Sequence, residues 1–426
     1  MPAEFQTIVQ WNGNTPDLFY KVSRLFTFEK SSNSQNVLFK PLKISENLSL
    51  NNRIAMAPLT RQRAETDGTP NELLTEHYSQ RASYGLIITE CAPVDIVGNG
   101  FLRAGAIYNK KQVEGWKKVT ESVHKKGGKI IMQIWHAGRA AHSEINGGNQ
   151  VVSSSGIAIR GKHLIQKEYE TPKQLSKEEI RQVVAQYTQG ALNAVEAGFD
   201  GVQLHGANGY LIDQFLKESS NDRTDEYGGS VDRHNFSNRI NNFQSRFLLE
   251  IIDSIAKVMP VEDLSVRLSP TGRFADQYDS NPIALMEYLL PQLEKRKLGF
   301  VELKRHNMLE RKGGAFNQND KTKQGVEKAK PEDQIPDFFR TLRKYYKGIL
   351  MGNDGLNPES AKELIEEGVI DLVSFGTLAI TNPDLPERIL NNFPLNKNNE
   401  YATYYYGDEK GYTTYQRYEN EIKSKI

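Results

Sequence analysis

At 426 residues the chain is longer than one sandwich or doubly wound domain needs, and it suits a single eight-fold barrel carrying insertions. Its 54 Lys and Arg against 53 Asp and Glu leave a formal charge of +1, so neither sign is in excess to attract nucleic acid or anionic lipid. A hydrophobic fraction of 38%, no run of about 18 apolar residues and a single cysteine, Cys91, exclude a membrane span, an internal disulfide, a thiolate zinc site and an iron-sulfur cluster.

In chain order, residues 1–37 carry little periodicity and read as an N-terminal extension, either a packed arm or partly disordered. Short apolar, β-branched runs follow at Arg53–Ala57, Leu86–Glu90, Lys129–Trp135, Gly201–His205, Leu264–Leu268, Phe300–Lys304, Ile349–Met351 and Leu372–Phe375. Amphipathic stretches separate them, among them Ser176–Ala197, Asn281–Lys297 and Pro358–Glu367, the last with Pro in its first turn and Gly368 beyond its end. Eight strands alternating with helices predict an α/β chain folded as one (β/α)8 TIM barrel over residues 38–395, with function at the C-terminal strand ends. Two stretches exceed a minimal barrel: a surface loop near 232–245, and a polar, basic loop over 305–330 that follows strand six and overhangs the site. Residues 396–426, rich in Asn and Tyr, form a C-terminal tail expected to pack near the active site. The absence of an apolar leader predicts a soluble, cytoplasmic protein. The terminal Ser424-Lys425-Ile426 nonetheless resembles the peroxisomal address Ser-Lys-Leu, a match short enough to arise by chance.

The segment His205-Gly206-Ala207-Asn208-Gly209-Tyr210 directly follows the fourth strand, where a barrel places catalytic groups. His205 and Asn208 can both donate to one oxygen, polarising a carbonyl and stabilising charge that develops on it. Tyr210 can then supply a proton: a phenol of pKa about 10 is a weak acid at neutral pH, but it suffices for a strongly basic carbanion held in place.

With this segment, Pro58-Leu59-Thr60-Arg61, Gln133-Ile134-Trp135-His136-Ala137-Gly138-Arg139, Gln214-Phe215-Leu216, Asn221 to Ser230 and Asn382-Pro383-Asp384-Leu385 stand in order along the chain. Together they resemble the Old Yellow Enzyme family, including its 12-oxophytodienoate reductase-like members. The resemblance implies an ene-reductase on a (β/α)8 barrel, with non-covalent FMN as cofactor and NADPH or NADH as reductant. Its substrates would be small enones or enals, with no nucleic acid or membrane partner, as a monomer or homodimer.

It also implies residue roles. Pro58, Leu59 and Thr60 would line the flavin, with Gln133 and Arg267 meeting its pyrimidine side and Cys91 packing against it. A barrel-interior Arg267 without an anionic partner would be costly, which favours a functional reading. Gly352, Asn353, Gly376 and Thr377 would face the phosphate, through backbone N–H groups at the glycine turns. Thr377 departs from the family, which has Arg there, so a bidentate charged contact is replaced by a hydroxyl at most. His205 and Asn208 would bind the substrate oxygen and Tyr210 would protonate carbon. Tyr404 and Tyr405 resemble the aromatic wall of the substrate pocket, although their spacing from Asn396-Lys397 is longer than usual. A related dienoyl-CoA reductase is excluded by the single cysteine and the missing second half. The alternative reading, motivated by Thr377 and the two insertions, is a flavin-binding barrel with little or no enoate reductase activity.

Overall fold

The computed structural model describes residues 36–228, 237–305, 331–396 and 400–418. The chain divides after Asn36, and the unit Val37–Ile426 contains the whole barrel. Its strands are β1 (Ile54–Met56), β2 (Leu86–Ile88), β3 (Ile130–Trp135), β4 (Val202–Gly206), β5 (Leu264–Leu268), β6 (Phe300–Lys304), β7 (Leu350–Asn353) and β8 (Leu372–Phe375). Each pairs in parallel with its sequence neighbour, β2 with β3 included, and β8 returns to β1 with Ser374 opposite Ala55, so the sheet closes. Every residue of the eight strands is buried, because helices cover the outside and side chains fill the inside. That two-sided burial is why the strands read as mostly apolar runs in the sequence.

The outer layer is α1 (Glu72–Ser79), α2 (Lys110–His124), α3 (Lys177–Glu196), α4 (Ser237–Ile255), α5 (Pro282–Lys295), α6 (Phe338–Arg343), α7 (Pro358–Glu366) and α8 (Leu385–Leu390). Helix starts are fixed by side chains. Ser176 and Glu179 form a reciprocal capping box on α3, as do Asn357 and Ser360 on α7, and Asn281 caps α5 ahead of Pro282. Such caps contribute about 1 kcal/mol each. The inward stripe of α3, Ile180, Val183, Tyr187, Ala191 and Ala194, is buried against the sheet.

A short antiparallel ribbon, Leu42–Lys43 with Ser49–Leu50, precedes β1. Its Leu48 and Leu50 pack with Ala55, Leu86, Ile131, Phe300, Met351 and Leu372, plugging the N-terminal end of the barrel with hydrocarbon. The opposite end therefore holds the polar groups.

Two expectations change. The surface loop expected over 232–245 is helical from Ser237, and Gln244 and Ser245 are buried, because the amphipathic pattern of α4 begins earlier than its apolar core suggests. The strand expected at Ile349–Met351 runs instead over Leu350–Asn353, so Gly352 and Asn353 form the end of β7 rather than a loop after it. The loop at 306–330, residues 1–35 and the terminal 424–426 lie outside the described residues.

Candidate active site

The loop after β4 is locked by its own backbone. Asn208 and Gly209 both take positive φ, 59° and 76°, and a Cβ on Gly209 would stand 2.8 Å from the Phe274 carbonyl oxygen and from Ala275 Cβ. Glycine is therefore required there. The Asn208 amide donates to Ser269 Oγ at 2.9 Å and the Gly209 amide to Asp213 Oδ2 at 2.8 Å. Tyr210 then begins the short helix Leu211–Leu216.

This turn brings the predicted residues together. The Tyr210 ring meets Trp135 edge to face at 4.5 Å and His205 at 4.9 Å. Burial, then the Arg267 and Lys304 charges, hold the His205 imidazole well below its usual pKa, so it is neutral at physiological pH. Burial also holds the Tyr210 phenol well above 10, so it keeps its proton. His205 Nδ1 and Trp135 Nε1 are buried without a hydrogen-bond partner among the described residues. Such uncommitted groups are costly in a folded protein unless a ligand completes them.

Beneath this loop the barrel interior is polar. Gln133 Nε2 donates to Gln203 Oε1 at 2.7 Å, and Gln203 Nε2 donates to Glu302 Oε2 at 2.9 Å. Ser374 Oγ donates to the other oxygen of Glu302 at 2.7 Å, Asn353 Nδ2 donates to Ser374 Oγ at 2.8 Å, and Arg267 Nη2 donates to Asn353 Oδ1 at 2.6 Å. Arg267 Nε lies 3.4 Å from Glu302 Oε1, supplying the anionic partner that a buried guanidinium needs. Gln203, Glu302 and Ser374 are functional candidates that the sequence reading missed. The available signal was Glu302, a lone acid inside an apolar strand.

Pro58 is buried after β1, with Leu59 and Thr60 partly exposed. Thr60 Oγ1 and Cys91 Sγ are 3.3 Å apart. Burial pushes the Cys91 thiol up to about 12, so it is a neutral packing group rather than a nucleophile. At the other side of the mouth, Gly376 caps the short helix Thr377–Thr381, and a Cβ there would meet only Leu59, at 3.6 Å. Thr377 is exposed. At the end of β6, Lys304 Nζ is 3.2 Å from Asp354 and Arg305 donates to the Gly355 carbonyl at 2.6 Å.

The tail at 400–418 is held by two buried arginines that the sequence reading did not single out. Arg61 donates to the carbonyls of Tyr404 at 2.8 Å, Thr403 at 3.3 Å and Gly411 at 2.7 Å. Arg63 donates to those of Asp408 and Thr403, both at 2.8 Å. Glu90 accepts the Arg61 backbone amide at 3.1 Å. The two tyrosines differ in placement. Tyr404 packs on Tyr401 and under Arg61, whereas Tyr405 is exposed and adds to the effects that hold the Tyr210 phenol up.

A polar barrel interior, donors at Trp135, His205, Asn208 and Arg267, and a glycine turn open to a ligand match a flat ring rich in carbonyl oxygens with an anionic tail, and FMN is such a molecule. A (β/α)8 barrel with this mouth defines a flavoprotein oxidoreductase. Residues 37–396 match the NADH:flavin oxidoreductase / NADH oxidase family. The chain is 39% identical over 394 residues to a probable flavin mononucleotide-dependent alkene reductase of Leishmania infantum, covering 90% of this chain and 98% of that one. It is 38% identical over 408 residues to 12-oxophytodienoate reductase 7 of Oryza sativa subsp. japonica, covering 91% and 96% respectively. Morphinone reductase, solved in complex with tetrahydroNAD, superposes with a TM-score of 0.78 at 34% identity, covering 90% of this chain and 98% of that one. The chain belongs to the NADH:flavin oxidoreductase / NADH oxidase family, that of the Old Yellow Enzymes.

Proposed function

We propose that this protein is an FMN-dependent ene-reductase that uses NADPH or NADH to reduce the carbon–carbon double bond of small α,β-unsaturated carbonyl compounds. The observation that carries this reading is the loop after β4, where His205, with its Nδ1 unpartnered, and the protonated Tyr210 phenol meet ring to ring at 4.9 Å at the barrel mouth.

FMN, when bound, supplies the hydride that adds to the β-carbon and is recharged by the nicotinamide. Gln133 and Arg267 would hold its pyrimidine edge, Pro58, Leu59, Thr60 and Cys91 its ring, and the backbone at Gly352, Asn353, Gly376 and Thr377 its phosphate. His205, kept neutral, and Asn208 hold the substrate oxygen and stabilise the negative charge that grows there. Because a neutral imidazole is a poor acid, it polarises the carbonyl without surrendering its proton. Tyr210 gives its phenolic proton to the α-carbon, a strong enough base to take it. Tyr405 walls the substrate pocket.

The purified protein should be yellow, bleach anaerobically with NADPH and recolour when cyclohexenone is added. A protein that stays colourless after FMN addition sinks the reading, and one that binds FMN but never bleaches with either nicotinamide is a flavin-binding barrel instead.

A further inference from the structure

Glu302 is fully buried at the centre of the barrel, on β6, and touches no position to which the proposed mechanism gives a role except Arg267. A carboxylate can only accept hydrogen bonds, so its neighbours must turn donors toward it. Gln203 does so with Nε2, which leaves its Oε1 to accept from Gln133; with one Nε2 proton thus committed, Gln133 keeps its own carbonyl oxygen free. On the other arm Ser374 spends its hydroxyl proton on Glu302 and must accept from Asn353 Nδ2, which leaves Asn353 Oδ1 to receive Arg267. The orientation of three side-chain amides on three strands therefore follows from one negative charge.

That charge also compensates the Arg267 guanidinium, whose Nε stands 3.4 Å from Glu302 Oε1. Taking FMN as the cofactor, as proposed above, we propose that Glu302 is a positioning residue with two effects. It fixes which atoms Gln133 and Asn353 present to the flavin, and it lowers the flavin's reduction potential by offsetting Arg267, the cation that would otherwise favour the electron-rich reduced ring.

The test is the midpoint potential of the holoprotein, measured anaerobically against a reference dye. Glu302→Gln should raise it, increasing the reduced-to-oxidised ratio at fixed ambient potential by at least about tenfold, the scale of one uncompensated charge at short range. Ser374→Ala keeps the charge but deletes one donor to it, and should move the potential the opposite way. A potential that stays or falls in Glu302→Gln overturns the proposal. Should that variant not accumulate as folded holoprotein, Ser374→Ala decides, and no shift or an upward shift there overturns it. A wild-type protein that binds no FMN defeats the cofactor reading before any potential is read, so the two failures are distinct.

Discussion

Replacing Tyr210 with Phe removes one oxygen and little else. The ring contacts at 4.5 Å with Trp135 and 4.9 Å with His205 are made by the aromatic face and edge, which phenylalanine keeps, so the pocket retains its shape. What is lost is the proton donor. General acid catalysis contributes about 10²–10⁴ in rate, or roughly 3–5 kcal/mol of barrier. Stopped-flow measurement of the two half-reactions separates this from damage. Flavin reduction by NADPH should keep its rate within about twofold, while reoxidation by cyclohexenone should slow by about 10²–10⁴. The wild-type reoxidation rate should show no break from Tyr210 deprotonation up to pH 10, because burial holds that phenol well above its usual pKa. Reoxidation slowed by less than about threefold, or both half-reactions slowed alike, would refute the role given to Tyr210.

Thr377→Arg puts a charged donor at the exposed position proposed to face the phosphate; a charged hydrogen bond of about 1.5–3 kcal/mol, discounted for solvent, should tighten FMN binding by about fivefold and leave riboflavin unchanged, as fluorescence titration reads. Arg61→Met strips donors from three tail carbonyls and should cost about 3 kcal/mol, seen as a lower melting temperature together with a higher KM for enones as Tyr405 loosens. Burial holds the Glu90 carboxyl up at about 7 against 4.5 in an unfolded chain. Its folded state thus binds the proton more tightly, so the contribution is present below pH 4.5 and is lost as pH rises through 7, by about 3 kcal/mol. Glu90→Gln should flatten the pH dependence of denaturant unfolding across that window, and an unchanged slope contradicts the assignment.

The barrel was legible because parallel strands buried on both faces, such as Ile130–Trp135, leave short, mostly apolar runs unlike the striped pattern of a surface helix. The loop after β4 was legible for a different reason: His205, Asn208 and Tyr210 lie within six residues, so local spacing alone brings them together. The network around Glu302 had no such signature. Its members come from six strands, and Gln203, Glu302 and Ser374 are separated by 99 and 72 residues, so nothing in the local pattern pairs them. Arg61 and Arg63 were hidden likewise, since their tail partners are carbonyls 340 or more residues away, and a carbonyl has no letter in a sequence.

That last feature has a use. Arg61 and Arg63 hold tail carbonyls and lie over the Tyr404 and Tyr412 rings, and His77 meets the Tyr412 carbonyl at 3.0 Å and stacks on its ring at 3.9 Å. These ring and carbonyl contacts fall on Tyr404, Tyr412 and their neighbours' main chain, not on the Tyr405 side chain. Position 405 can be varied without unfastening the segment that presents it, so the pocket wall behaves as an exchangeable cassette on a fixed mount. A library confined to Tyr405 should change which enones are accepted while leaving the folded scaffold intact.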